Sequence, residues 1–210
     1  MKRKAFFITI EGLEGSGKSS VINFLQKFLK ERKYSVLVLR EPGSTAIGEK
    51  IRQLLLDKKN KNLSRHTELL LYLAARTQLI EEKLQKALGI CDFVVCDRFF
   101  DSTLVYQGYG LGLGAIVEKS VHLFSLGIIP DMTIVLDVAA REGLGRIKHK
   151  DRIESRPLHF HNTLRKGYRA LAKKYPRRIK VIDASGSLED IYRLVERALR
   201  KKLKALRFAH

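Results

Sequence analysis

The sequence predicts an α/β fold with a parallel sheet of about five strands flanked by helices. Three observations lead there. Short runs rich in β-branched and other apolar residues recur along the chain, and longer stretches with helical spacing separate them. The first run breaks directly into a glycine-rich turn ending on Lys18 and Ser19. Alternation of this kind is the mark of βα units, whose crossovers leave the strands parallel and covered on both faces.

The strand runs are residues 5–10, 35–39, 93–96, 133–136 and 179–182. Arg40, Asp97 and Asp137 directly follow three of them. In open parallel sheets the carboxyl ends of the strands form the ligand crevice, so chemistry is expected at these positions. Leu69, Leu70, Leu73, Leu79, Ile80, Leu84 and Ala87 predict one long, mostly buried helix over 65–87. Residues 188–206 repeat that spacing and predict a closing amphipathic helix. The glycine run 108–114 does not fit a dinucleotide fingerprint and reads as a flexible loop. Residues 148–161, dense in charge and histidine and containing Pro157, read as a mobile loop.

With 210 residues, 45% of them hydrophobic, and no repeat or linker, residues 1–210 suit one domain. The formal net charge of +19 calls for anionic partners without choosing among nucleotides, nucleic acid and acidic lipid. Cys91 and Cys96 lack a C-x-x-C spacing and suit reduced thiols in a cytoplasmic protein. The opening apolar run is too short for a signal peptide or a membrane span, and no membrane partner is expected.

Gly12-Leu13-Glu14-Gly15-Ser16-Gly17-Lys18-Ser19 fits G-x-x-x-x-G-K-[ST], with Ser20 next in the following helix. Glycines let successive backbone N–H groups face one point, and the helix presents its positive end there, so this loop is expected to cradle the phosphates of ATP. Lys18 would reach the β- and γ-phosphates and the Ser19 hydroxyl would ligate Mg²⁺. A plain glycine turn between strand and helix is the structural alternative.

Further along stand REPGST at 40–45, LLLYLAARTQ at 69–78, DRFFDSTLVYQG at 97–108 and DRIE at 151–154. Together with the phosphate loop, in this order and near this spacing, they resemble the thymidylate kinases, the bacterial kind in particular. The resemblance implies a P-loop nucleoside monophosphate kinase fold, transfer of a phosphoryl group from ATP to dTMP on the way to dTTP, and a homodimer. It also implies an acceptor site. Glu41 would organise the acceptor phosphate and its arginines, Arg52 would join it, and Arg98 would hold that phosphate in line for attack. Ser102, Thr103 and Gln107 match acceptor-contacting positions, with a structural role standing equally beside each. Asp97 would hold Mg²⁺ through water or position the Ser19 hydroxyl.

Each motif also has a reading from its own chemistry. Arg40-Glu41-Pro42-Gly43 places an ion pair and a turn at a strand end, and Glu41 could serve only as a loop salt bridge. Tyr72 and Arg76, four apart, share a helical face. The ring can stack on a pyrimidine while the guanidinium donates to thymine O4. Phe99 stands where the family usually has tyrosine, and Tyr72 where it often has phenylalanine.

Between 141 and 178, thirteen lysines and arginines face three acids, where the family keeps an ATP-covering lid, here a basic loop around 146–160. Phosphoryl transfer draws its acceleration from positioning and positive charge. In the bacterial members that the chain resembles, the position of Glu14 carries no basic residue and the lid supplies an arginine instead, which the acidic Glu14 and the basic lid here match. Arg152 is the first choice and Arg146 the second. The histidines show no metal-binding spacing. A basic nucleic-acid-binding NTPase is the reading from another class. Without aromatic interleaving or a nucleic-acid-binding motif, nucleic acid is not an expected partner.

Overall fold

The computed structural model describes residues 5–207. Its strands are β1 (Phe6–Gly12), β2 (Val36–Arg40), β3 (Phe93–Asp97), β4 (Met132–Asp137) and β5 (Ile179–Asp183), joined in one parallel sheet of order β2-β3-β1-β4-β5. β1 pairs with β3 on one side and β4 on the other, with Ile10 opposite both Asp97 and Ile134. The central strands β1, β3 and β4 are buried almost throughout, as expected when helices cover both faces. Strand order reverses on either side of β1, so its carboxyl end is the switch point where a crevice opens.

The crossovers carry α1 (Lys18–Glu31), α2 (Ala46–Leu56), α3 (Arg65–Leu79), α4 (Gln85–Ile90), α5 (Phe100–Thr103), α6 (Gly114–Phe124), α7 (Ala140–Gly145) and α8 (Leu158–Lys174), and α9 (Leu188–Arg207) follows the last strand. α1 and α9 cover one face, where Val21, Leu25, Ile191, Val195 and Leu199 meet Ile8, Ile10 and Ile134. α3, α4 and α6 cover the other through Leu73, Leu79, Leu88 and Val117 against Phe7 and Val94. A third cluster joins α8 to the loop side, with Phe160, Leu164 and Tyr168 packed around Leu13 and Tyr106.

Three expectations need correction. The predicted helix over 65–87 is interrupted by a π-helical segment, Ile80–Leu84, which keeps Ile80 and Leu84 buried where an unbroken 3.6-residue repeat would drift. The glycine run 108–114 is not a loop throughout: 108–110 close a second π-helical segment, Leu104–Gly110, and Gly114 opens α6. Gly110 is required there, because a Cβ would stand 2.6 Å from the Phe160 ring. Residues 148–161 are not all loop either, since Pro157 caps α8 and the helix starts at Leu158.

Candidate active site

At the carboxyl end of β1 the chain turns through residues 12–17 into α1. Gly17 takes the left-handed conformation (φ +89°) and no side chain caps the helix, so its first N–H groups stay free for an anion. Gly15 lies flat on α7, where a Cβ would come within 2.0 Å of the Gly143 carbonyl oxygen. The Lys18 ammonium folds back onto the loop, donating to the carbonyls of Leu13 (2.8 Å) and Gly12 (3.3 Å). Burial first, then the charge of Arg98, lower its pKa to about 8.

Beside this loop opens a cavity of about 240 Å³. Glu14, Gly15, Lys18 and Ser19 form its loop wall; Glu41, Arg52 and Tyr72 line it from the β2–α3 side; Asp97, Arg98, Phe99, Ser102, Thr103 and Gln107 come from β3 and the segment after it. Arg98 adopts a positive φ of 67°, which turns its side chain inward. Its guanidinium donates to Glu14 (3.1 Å), Ser102 Oγ (3.1 Å) and the Tyr168 hydroxyl (3.2 Å). Burial and the neighbouring charge of Arg40, with Arg98 beyond, depress the Arg52 pKa. Cations crowded together at the edge of a cavity are the signature of a place shaped for a phosphate.

Behind the cavity sits a carboxylate network. Glu11 is fully buried on β1 and accepts from Phe99 N (2.8 Å), Ser102 Oγ (2.5 Å) and the Tyr168 hydroxyl (2.9 Å). Burial, then Asp101, raise its pKa to about 7. For Glu14, burial alone would raise the pKa, yet His161, Arg98, Lys18 and Tyr106 outweigh it and hold the carboxyl well below the usual range. Buried side-chain atoms without a hydrogen-bond partner collect here: Glu14 Oε2, Ser16 Oγ, Asp97 Oδ1 and Arg76 Nη1. Of these, Asp97 Oδ1 belongs to a cavity-lining residue and is placed for a ligand or ion to complete its bonding.

The Thymidylate kinase family model matches residues 10–195. The chain belongs to the thymidylate kinase family. It is 42% identical over 204 residues to the thymidylate kinase of Bacillus pumilus, covering 94% of this chain and 96% of that one. With the Latilactobacillus sakei thymidylate kinase it shares 45% over 191 residues, covering 88% and 89%. The crystal structure of thymidylate kinase from Ehrlichia chaffeensis superposes with a TM-score of 0.76 at 32% identity, covering 93% of this chain and 98% of that chain.

Most residues expected in a thymidylate kinase site line the cavity; outside the phosphate loop, Arg76, Arg146 and Arg152 do not. Arg76 is fully buried behind it, with Nε donating to Glu41 (3.1 Å), Nη2 donating to Glu41 and to Thr103 Oγ1 (2.6 Å), and Nη1 unpartnered. Arg40 therefore does not pair with Glu41; it forms two bonds to Glu49 instead. Arg152 donates to Glu68 (2.7 Å) and to the Leu55 carbonyl (2.7 Å), and Arg156 meets the same Glu68 oxygen (2.7 Å). A fully buried carboxylate at Glu68 requires such cations, which draws Arg152 away from the phosphate loop. Arg146 reaches that loop, donating to the Gly15 carbonyl (3.0 Å) and to Glu142 (2.6 Å). Asp137, at its strand end, is taken by Arg165 and Arg169 of α8.

Gly12, Leu13, Ser16, Gly17 and Ser20 shape the loop and its helix without lining the cavity. Gln107 lines it while donating to Glu68 (2.9 Å). Sequence reasoning missed Glu11, Glu68, Tyr106, Tyr168 and His161. A charge inside an apolar strand run was a usable signal for Glu11; the other four carry none that separates them from ordinary helix residues.

Proposed function

We infer that the family's reaction, ATP and dTMP to ADP and dTDP on the way to dTTP, takes place in this cavity. The donor phosphates belong on the loop at 12–19, where free N–H groups and Lys18 converge. The acceptor belongs between Arg98, Arg52, Tyr72 and Gln107, with its phosphate at Arg98 and Glu41 holding the surrounding arginines. That phosphate is already anionic at neutral pH, so no general base is required. Arg98, pre-aimed by three partners, costs little reorganisation when charge develops.

The residues fit Mg²⁺: Asp97 Oδ1 is buried without a partner, and Asp97 and Ser19 line the same cavity. These two would hold the ion, which would neutralise charge on the donor phosphates. Residues 146–160 act as the lid. Within it Arg146, already on the phosphate loop, is the cation nearest the transfer, and Arg152 with Arg156 fastens the lid to Glu68.

The protein works in the cytoplasm, where its free thiols Cys91 and Cys96 stay reduced. Ile47 and Leu54 on α2, Leu70 on α3, and Ile116 and Leu123 on α6 are each at least half exposed and support a homodimer through this face. No described helix is long and apolar enough to cross a membrane.

The convergence of Lys18, Asp97 and Arg98 on one cavity carries this reading. Its test is ADP formation from Mg²⁺-ATP with dTMP, dUMP, dCMP, UMP and AMP offered separately. dTMP should give the highest kcat/KM, and Arg98→Ala should remove it. dUMP, lacking only a methyl, should trail by about 10- to 200-fold. ADP released without an acceptor, or only with DNA present, would overturn the reading in favour of a nucleic-acid-dependent NTPase.

A further inference from the structure

One buried titratable side chain has no part in the chemistry above. His161, in the first turn of α8, is 0% exposed, and neither ring nitrogen has a hydrogen-bond partner among the described residues. The Phe160 ring packs edge-on against it at 5.5 Å. Its Nδ1 lies 3.4 Å from Glu14 Oε2, itself buried and unpartnered. The other Glu14 oxygen, Oε1, accepts from the Tyr106 hydroxyl and from Arg98. The carboxylate is thus divided: one oxygen serves two groups lining the cavity, and the other faces α8.

Two orphaned polar atoms facing each other in a closed site are costly, and a shift of about half an ångström brings this pair to hydrogen-bond length. α8 starts directly after Pro157, which places His161 one turn from the basic segment 146–157.

We propose that His161 is a positioning residue for the acceptor site: its Nδ1–H donates to Glu14 Oε2 and locks the carboxylate so that Oε1 holds Arg98 and Tyr106 in place. This rests on Arg98 serving the acceptor phosphate. His161 does not line the cavity, so it acts on the acceptor site through the Glu14 side chain, which is bound to Arg98 and Tyr106 and not to the loop's N–H groups.

Two variants separate the donor from the packing. His161→Phe keeps the ring against Phe160 and loses the N–H; His161→Asn carries an amide nitrogen near the place of Nδ1. His161→Phe should raise KM for dTMP about tenfold, the loss of one charge-assisted hydrogen bond, with KM for ATP within about twofold. His161→Asn should return KM for dTMP to within about threefold of the parent. Thermal unfolding of both variants checks that the fold is intact. Unchanged KM for dTMP in His161→Phe, equal defects in the two variants, or a parallel shift in KM for ATP would each overturn the proposal. Absence of dTMP turnover in the parent protein would overturn the site reading, and the proposal with it.

Discussion

At the scale of single residues, Glu11 shows how burial sets chemistry. It stands fully buried behind Arg98, its two oxygens engaged by Phe99, Ser102 and Tyr168. Its pKa rises from 4.5 to about 7, because burial and then Asp101 disfavour the charge more than Arg98 and the hydrogen bonds favour it. The folded chain therefore binds more protons than the unfolded chain between those values. The sign follows: this stabilisation is full below pH 4.5 and is lost as pH rises through about 7, with a slope of at most about 1.4 kcal/mol per unit. Glu11→Gln fixes the neutral form. In denaturant titrations its stability should gain on the parent between pH 5 and 8, by an amount that grows with pH. A difference constant across that range would show that Glu11 does not titrate there.

At the scale of elements, the lid is the piece whose behaviour follows from one carboxylate on another helix. Glu68 on α3 receives Gln107 on one oxygen and Arg152 and Arg156 on the other. Removing one partner of a buried ion pair typically costs about 3–5 kcal/mol when the orphaned charge stays buried. Arg152 and Arg156 sit on a segment that can lift into water, so Glu68→Gln should loosen 148–157 instead of unfolding the protein. Trypsin should then cut after Arg152 at least tenfold faster, KM for dTMP should rise, and the thermal midpoint should hardly move. Unchanged cleavage with a falling midpoint would make Glu68 a core residue and not a latch. The strands were legible in the sequence to within about two residues, because apolar β-branched runs carry their own period. The lid latch was not, because it joins residues 84 and 88 apart in sequence through contacts no local pattern encodes. Arg76 was misjudged for the same reason: its helical face was read correctly, but Glu41, 35 residues away, decides where the guanidinium goes.

At the scale of the whole molecule, the phosphate loop could be read directly because its chemistry is local: the glycines, the lysine and the start of α1 are consecutive. The acceptor side of the cavity gathers residues from β2 to the segment after β3, and its inner support comes from α8, so only family resemblance could assemble it in advance. Net charge is the other property belonging to the whole chain. Two copies carrying +19 each repel one another, while Leu70 and Leu123, 62% and 66% exposed, offer apolar area to bury. Association should therefore be driven by burial and opposed by charge. Sedimentation should give twice the chain mass, with the dimer tightening as salt is raised from about 0.05 to 0.5 M, since screening removes the repulsion and strengthens the apolar contact. Leu70→Glu with Leu123→Glu should sediment as single chains with far-UV circular dichroism unchanged. A parent that stays monomeric, or a dimer that dissociates as salt rises, would mean that these leucines do not face a second copy.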